Sequence, residues 1–292
     1  MLNLYERYLK PSASVPVMVL AVGLLFMVGS IALSTRSLFA FFSIQGLVIV
    51  GGGVIAVAFM SFETEDVRKA LDEIAAMFKA RSAPPADTLH QEMLEIVAWA
   101  YMVREKGMRR LEASLAKRGI DDLFVKYGLN MVVSGYSARE VRVMMETAAD
   151  GLYDRDVAPV EILQSMASHA PAFGIIGTVI GMVAMLCGLG DNVAGIGTSL
   201  SVAFLSTLYG VVSARMIYMP AAAKLRQSVA KRRFRNQMIT EGMVMLVSKK
   251  TPMFIQDRLN SFLRPERHDY LDAFTNATRA VAGAPALKAI AA

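Results

Sequence analysis

The chain has 292 residues, 54% of them hydrophobic and 19% charged, with a mean hydropathy of +0.42. A soluble domain of this length does not average out apolar, so composition excludes an ordinary globular protein and points to a membrane. The single cysteine, Cys187, excludes a disulfide framework, and His90, His169 and His268 have no metal-ligand spacing.

Four segments have the ~20 mostly apolar residues that a helix needs to cross the hydrocarbon core. Residues 15–33 carry no charge, and 41–62 carry only Gln45 as a strongly polar side chain. The third span covers 170–189 and the fourth 196–220, where Arg215 can snorkel to the inner interface. Residues 15–33 exceed the usual signal-peptide core and are followed at once by another span, so we read them as a retained helix.

Basic residues set the orientation. The 34–40 link holds one arginine and the 190–195 link none, whereas Lys224, Arg226, Lys231, Arg232, Arg233 and Arg235 crowd the exit of the fourth span. Arg7 and Lys10 precede the first, so both termini are expected in the cytoplasm. Residues 63–166 then form a cytoplasmic domain with 14 Lys/Arg against 18 Asp/Glu. The tail after Pro220 holds 13 against 5, which accounts for the net charge of +6. A basic tail facing an anionic leaflet needs no nucleic acid to explain it.

The cytoplasmic domain reads as helical. Val67, Leu71, Ile74 and Phe78 make a stripe over 63–81, ended by Ser82-Ala83-Pro84-Pro85. A second helix is read over 88–118, with a stripe through Leu94, Val97, Tyr101, Met108, Leu111 and Leu115, and Gly119 stops it. A third follows Ser137, which forms a capping-box pattern with Glu140. The expectation is an all-α polytopic membrane protein with four transmembrane helices and a helical cytoplasmic domain between helices two and three. Its parts are 1–62 with the first two spans, 63–166, 167–220 with spans three and four, and a basic cytoplasmic tail over 221–292. The last ~30 residues of that tail read as disordered.

Enzyme motifs are missing: no phosphate loop, GxSxG or HExxH, and no paired carboxylates within a span. Gly51-Gly52-Gly53 and Gly188-Leu189-Gly190 lack a following lysine and read as sites of close helix packing. The third span has Pro171 at its start, where proline is tolerated, then small residues at Gly174, Gly177, Thr178 and Gly181. The fourth offers Ala203, Thr207, Gly210 and Ala214 at helical spacing. Two small faces suggest that spans three and four line a tight interior while the bulkier spans one and two face lipid. No Asp, Glu or His lies in the middle of any span, so the acid of an ion path would have to come from another chain. The hydroxyls of Thr178 and Thr207 can offer oxygens to a small cation. They can equally bond back to their own helix carbonyls.

These segments resemble the MotA family, and more loosely the wider MotA/TolQ/ExbB channel superfamily. The resemblance runs from Gly51 to about Leu263 and is carried by four stretches. They are GGGVIAVAFMSFETEDVRKAL at 51–71, the helix around Arg104 to Glu112, APAFGIIGTVIGMVAML at 170–186 and AFLSTLYGVVSARMIYMP at 203–220. The resemblance implies an inner-membrane stator subunit, a homopentamer around two copies of a MotB-like, peptidoglycan-anchored partner that supplies the intramembrane aspartate. Ion flow would then turn the ring against a flagellar rotor switch protein of FliG type. It implies rotor contacts for Arg104 and Glu112, eight residues apart on one helix and ~12 Å along its axis. Arg104 also lies on the apolar stripe, where it can be a packing arginine. Pro171 and Pro220 match prolines that couple ion binding to movement; structurally they read as a helix start and a kink.

Thr178 and Thr207 match threonines lining the path of sodium-driven, PomA-like members, which favours Na+ over H+ as the transported ion; no cofactor is implied. Residues from Arg264 onward have no family counterpart. The main alternative is a TolQ/ExbB-like energiser of another envelope or gliding machine. A secondary transporter would show an inverted repeat and broken helices. A passive scaffold would tolerate Thr178→Val and Pro171→Ala.

Overall fold

A computed structural model describes residues 29, 41–78, 88–117, 122–188 and 193–263. The span read over 15–33 and the tail after Leu263 lie outside the described residues, apart from Gly29. Every regular element among the described residues is a helix, and the chain is an all-α membrane-spanning protein.

The first long helix, α1, covers Ile44–Ser61. Ser43 caps it, its Oγ accepting from the Gly46 N–H at 3.2 Å. A π turn at Val48–Gly52 runs into the Gly51-Gly52-Gly53 triplet. α2 covers Thr64–Phe78, with Glu65 and Asp66 in its first turn, where negative charge suits the helix dipole. The helix expected over 88–118 is two helices instead: α3, Thr88–Lys106, and α4, Met108–Lys117. Gly107 lies between them at φ +78°, a left-handed conformation that ends a helix and that glycine adopts without strain.

α5, Leu123–Val133, was not legible in the sequence. Its residues are apolar nearly all round, so no periodic stripe marks it. Asp122 caps it by accepting from Phe124 and Val125 N–H groups at 2.8 and 3.1 Å. α6 begins at the expected capping box. The Ser137 N–H donates to Glu140 Oε2 at 2.8 Å and the Glu140 N–H to Ser137 Oγ at 3.3 Å.

From there α6 runs without interruption over Ala138–Cys187, 50 residues, ~75 Å. α7, Val193–Val212, continues through a π turn at Ser213–Tyr218 into α8, Met219–Val247. Spans three and four are therefore segments of helices that extend well beyond a bilayer. α9, Pro252–Asn260, is capped by Thr251 and starts on proline, whose missing N–H costs nothing there.

The chain forms two compact units, Met1–Ala83 with Asp154–Ala230, and Pro84–Tyr153 with Lys231–Ala292. The second has an apolar core in which Met93, Ile96, Leu111, Leu129, Met145, Met238, Ile239, Met243 and Ile255 are essentially inaccessible to solvent. Basic residues expected to face a lipid leaflet are partly used here instead. Arg233 pairs with Asp150 at 3.3 Å, and Arg235 with Glu92 and Asp122 at 2.6 and 2.7 Å. Arg142 grips both oxygens of Glu241 at 2.7 and 3.1 Å.

These pairs make the unit acid-sensitive. Hydrogen bonds from Arg142 hold the Glu241 carboxyl below the usual carboxylate range, against its burial. At Asp122 burial pushes upward, but the Val125 amide, the Arg235 charge and further hydrogen bonds outweigh it and lower the carboxyl. Groups lowered in the folded state contribute stability that is complete above their unfolded pKa, about 4, and is lost as pH falls through the folded values. Thermal stability of the purified protein should be flat from pH 7 to about 5 and fall steeply below about 4. Fluorescence of Trp99, the only tryptophan and packed on this core, reads the transition. A midpoint that rises on acidification would refute the assignment.

Candidate ion path between glycine-faced helices

The small faces expected on spans three and four meet each other. A Cβ built on Gly181 would lie 2.7 Å from Ala203 Cβ and 2.8 Å from Ser199 O. One on Gly210 would lie 2.6 Å from Ala170 O and 3.1 Å from Gly174 Cα. The two backbones are thus in direct contact, the packing that small residues permit inside a membrane, where no hydrophobic drive separates helix from lipid. Outward faces are large and apolar, with Ile175, Val179, Val183 and Leu186 on α6 and Phe204 on α7 exposed.

This contact brings Thr178 and Thr207 together, with their Oγ1 atoms 2.5 Å apart. Thr178 Oγ1 lies 3.1 Å from Gly174 O and 3.1 Å from Ala203 O, and Thr207 Oγ1 lies 3.3 Å from Gly174 O. Gly174 O is four residues before Thr178, and Ala203 O four before Thr207. Each hydroxyl therefore reaches the carbonyl that the other's helix turn presents. Back-bonding accounts for one contact only; the remaining two cross between helices. Two hydroxyl protons are shared among these four contacts, so not all can be filled at once, and the four converging oxygens carry no formal charge. Both threonines are half-buried.

The prolines sit differently from the sequence expectation. Pro171 does not start a helix; it is interior to α6, and so is the buried Pro159, which sequence reasoning passed over. Each removes the donor to the carbonyl four residues earlier, at Ala167 and Arg155. Pro220 does not end its helix. It follows the π turn in which the Met219 N–H reaches back to Ala214 O. Proline has no N–H for the next bond, so the widened turn accommodates it within a continuing helix.

Arg104 and Glu112 are both exposed, which removes the packing role for Arg104. They stand on α3 and α4, on either side of Gly107, so the spacing along one helix axis does not hold. Two polar residues in span four escaped the sequence reading. Ser206 is fully buried, its Oγ bonded to Val202 O at 2.7 Å. Tyr209 donates to Phe41 O at 2.7 Å and accepts from the Ser43 N–H at 2.8 Å. A phenol in the middle of the span was the available signal, since its hydroxyl needs partners. Among the described residues no three His, Cys, Asp or Glu side chains are grouped to hold a metal.

All-helical spans packed face to face through small residues describe a polytopic membrane subunit, and proteins of a known channel family match it. Residues 116–238 match the MotA/TolQ/ExbB proton channel family. Motility protein A of Bacillus subtilis is 30% identical over 217 residues, 74% of this chain and 78% of the relative. The flagellar MotAB stator complex of B. subtilis superposes with a TM-score of 0.74 at 26% identity, over 86% of this chain and 95% of that one. The MotAB structure from C. jejuni, 21% identical, shares the fold with a TM-score of 0.76, over 88% of this chain and 99% of that one. The chain belongs to the MotA family of flagellar stator ion-channel subunits, and it is not an enzyme.

Proposed function

We propose that this chain conducts Na+, in preference to H+, and converts that flow into torque on a flagellar rotor, as a pentamer around two MotB-like partner chains in the inner membrane. The observation that carries the ion path is the cluster of Thr178 and Thr207 hydroxyls with the Gly174 and Ala203 carbonyls. Hard, uncharged oxygens suit a small alkali cation, and the charge to neutralise it comes from a carboxylate on the partner's span. A proton needs only that carboxylate, so the added hydroxyls favour sodium. Solved relatives described as MotAB complexes support a MotB-type partner.

In this reading Pro171 and Pro220 let α6 and α8 flex as the ion binds and leaves, since each omits one backbone hydrogen bond. The exposed Arg104 and Glu112 contact a FliG-type rotor protein from the cytoplasmic domain over 63–166. Long-range charge pairing tolerates sliding, which suits repeated stepping. Both termini lie in the cytoplasm, and remaining basic residues of the tail face the anionic leaflet.

The test is swimming of a deletion strain complemented with this chain, with external sodium varied at fixed pH and ionic strength. Speed should rise with sodium. Thr178→Ala should need about tenfold more sodium for half-maximal speed, equivalent to losing about 1.4 kcal/mol of ion–oxygen interaction. Sodium-independent swimming abolished by a protonophore would overturn the ion choice. Unchanged swimming in the deletion strain, with an envelope-energisation defect, would instead favour a TolQ/ExbB-like role.

A further inference from the structure

We infer that Tyr209 is a positioning residue for ion passage: it holds α7 in the rotation that keeps the Thr207 hydroxyl on Thr178. This rests on the reading of that hydroxyl pair as part of the ion path.

Apart from the threonine contacts themselves, the α6 side of α7 constrains that rotation only weakly. Ala203, Ser206 and Gly210 meet Gly181, Gly177 and Gly174 there, and such small-residue surfaces let helices turn and slide because no large side chain interlocks. The α1 side is directional. Tyr209 Oη donates to the Phe41 carbonyl at 2.7 Å and accepts from the Ser43 N–H at 2.8 Å. Both groups precede the first turn of α1, where the helix supplies no partner for them. In apolar surroundings an unpaired backbone group is costly, so the two bonds persist. The phenol ring also lies against Gly46, where a Cβ would be 3.3 Å from Tyr209 Cε2.

Residues two apart on a helix point ~200° away from each other. Tyr209 therefore faces α1 while Thr207 faces α6, and an anchored Tyr209 directs Thr207 at Thr178. Tyr209 thus gives α7 a directional contact on the side opposite the Thr207 hydroxyl.

The test has two readouts. In a Cys187→Ser background, Thr178→Cys and Thr207→Cys place two thiols where the hydroxyls stand 2.5 Å apart. Copper–phenanthroline with dioxygen then oxidises them to a disulfide in membranes containing the whole complex. Adding Tyr209→Phe, which keeps the ring and removes the hydroxyl, should slow that oxidation about tenfold, the effect of a loss near 1.4 kcal/mol. In the chain with native threonines, Tyr209→Phe should lower swimming speed several-fold. Both values are normalised to the chain present in the membrane, so reduced accumulation does not decide the outcome. Para-aminophenylalanine at 209, which restores a donor at the same ring position, should recover both. An unchanged oxidation rate overturns the positioning role. A slowed rate with unchanged swimming leaves the anchor standing and overturns the place of the threonine pair in the ion path.

Discussion

Gly210→Val should abolish motility and strongly reduce the chain recovered in the membrane. Even the first carbon of that side chain would stand 2.6 Å from Ala170 O, 3.3 Å from Ala170 C and 3.1 Å from Gly174 Cα. All three are backbone atoms of α6, so no rotamer change relieves the clash and the helices must separate. Overpacking a core that can adjust costs about 1–3 kcal/mol. Here adjustment means moving α7 away from α6, which also breaks the hydroxyl and carbonyl contacts between Thr178, Thr207, Gly174 and Ala203. Gly210→Ala should show the same defect in weaker form. Gly197→Ala is the control, because a Cβ there meets nothing within 4 Å. Immunoblots of membranes and soft-agar swimming check both. Full accumulation with normal swimming in Gly210→Val would show that α6 and α7 are not in backbone contact.

Arg235→Ala should destabilise the second compact unit by about 2–3 kcal/mol, at or just below the lower edge of the range for breaking a buried ion pair because the site is partly open to solvent. The Arg235 side chain is 22% exposed and that of Glu92 only 17%. Its Nε lies 2.7 Å from Glu92 Oε1, and its Nη2 lies 2.6 Å from that oxygen and 2.7 Å from Asp122 Oδ2. One side chain of α8 thus ties α3 to the cap of α5. Removing it strands Glu92 and leaves Asp122 with its amide bonds alone. Arg235→Lys should recover only part, since an ammonium cannot serve two carboxylates in a fixed fork. Replacing Arg235 and Glu92 together by apolar residues of similar size should cost less than Arg235→Ala alone, because the less exposed carboxylate is then gone and only Asp122, more open to solvent and still bonded to two amides, lacks its cation. Denaturant melts followed by Trp99 fluorescence measure all three. Equal stability of the parent and Arg235→Ala would mean that the pair contributes nothing net.

Much of this protein was legible because the relevant physics is local. Crossing a bilayer demands a continuous apolar stretch, so the three spans within the described residues stood out in the sequence and are helices long and apolar enough to cross. The Ser137–Glu140 box depends on residues three apart and was read correctly. Small residues at helical spacing marked the faces of spans three and four that pack together. The want of an acid in the middle of any span was also plain, and the proposed path therefore draws its negative charge from a partner chain.

Other features depended on how distant segments meet. Hydropathy changes at a membrane surface, but backbone hydrogen bonding does not, so α6 passes through that boundary where the sequence suggested separate elements. Pro171 looked like a helix start because proline lacks a donor; packing of α6 against α7 keeps the helix continuous around that one lost bond. Gly107 breaks an apolar stripe that seemed unbroken, since periodicity reports which face is buried and not whether φ turns positive. Basic residues counted as a lipid-facing tail include Arg233 and Arg235, whose partners lie 83 to 143 positions away in the chain. Apolar spans, small helix faces and the want of a carboxylate can be read from the residue order, because each is a property of neighbouring residues. That Thr178 and Thr207 share a hydrogen bond, and that Tyr209 bonds the backbone before α1, emerged only once the helices were placed together. Those contacts depend on the register and rotation of whole helices, which no local pattern encodes.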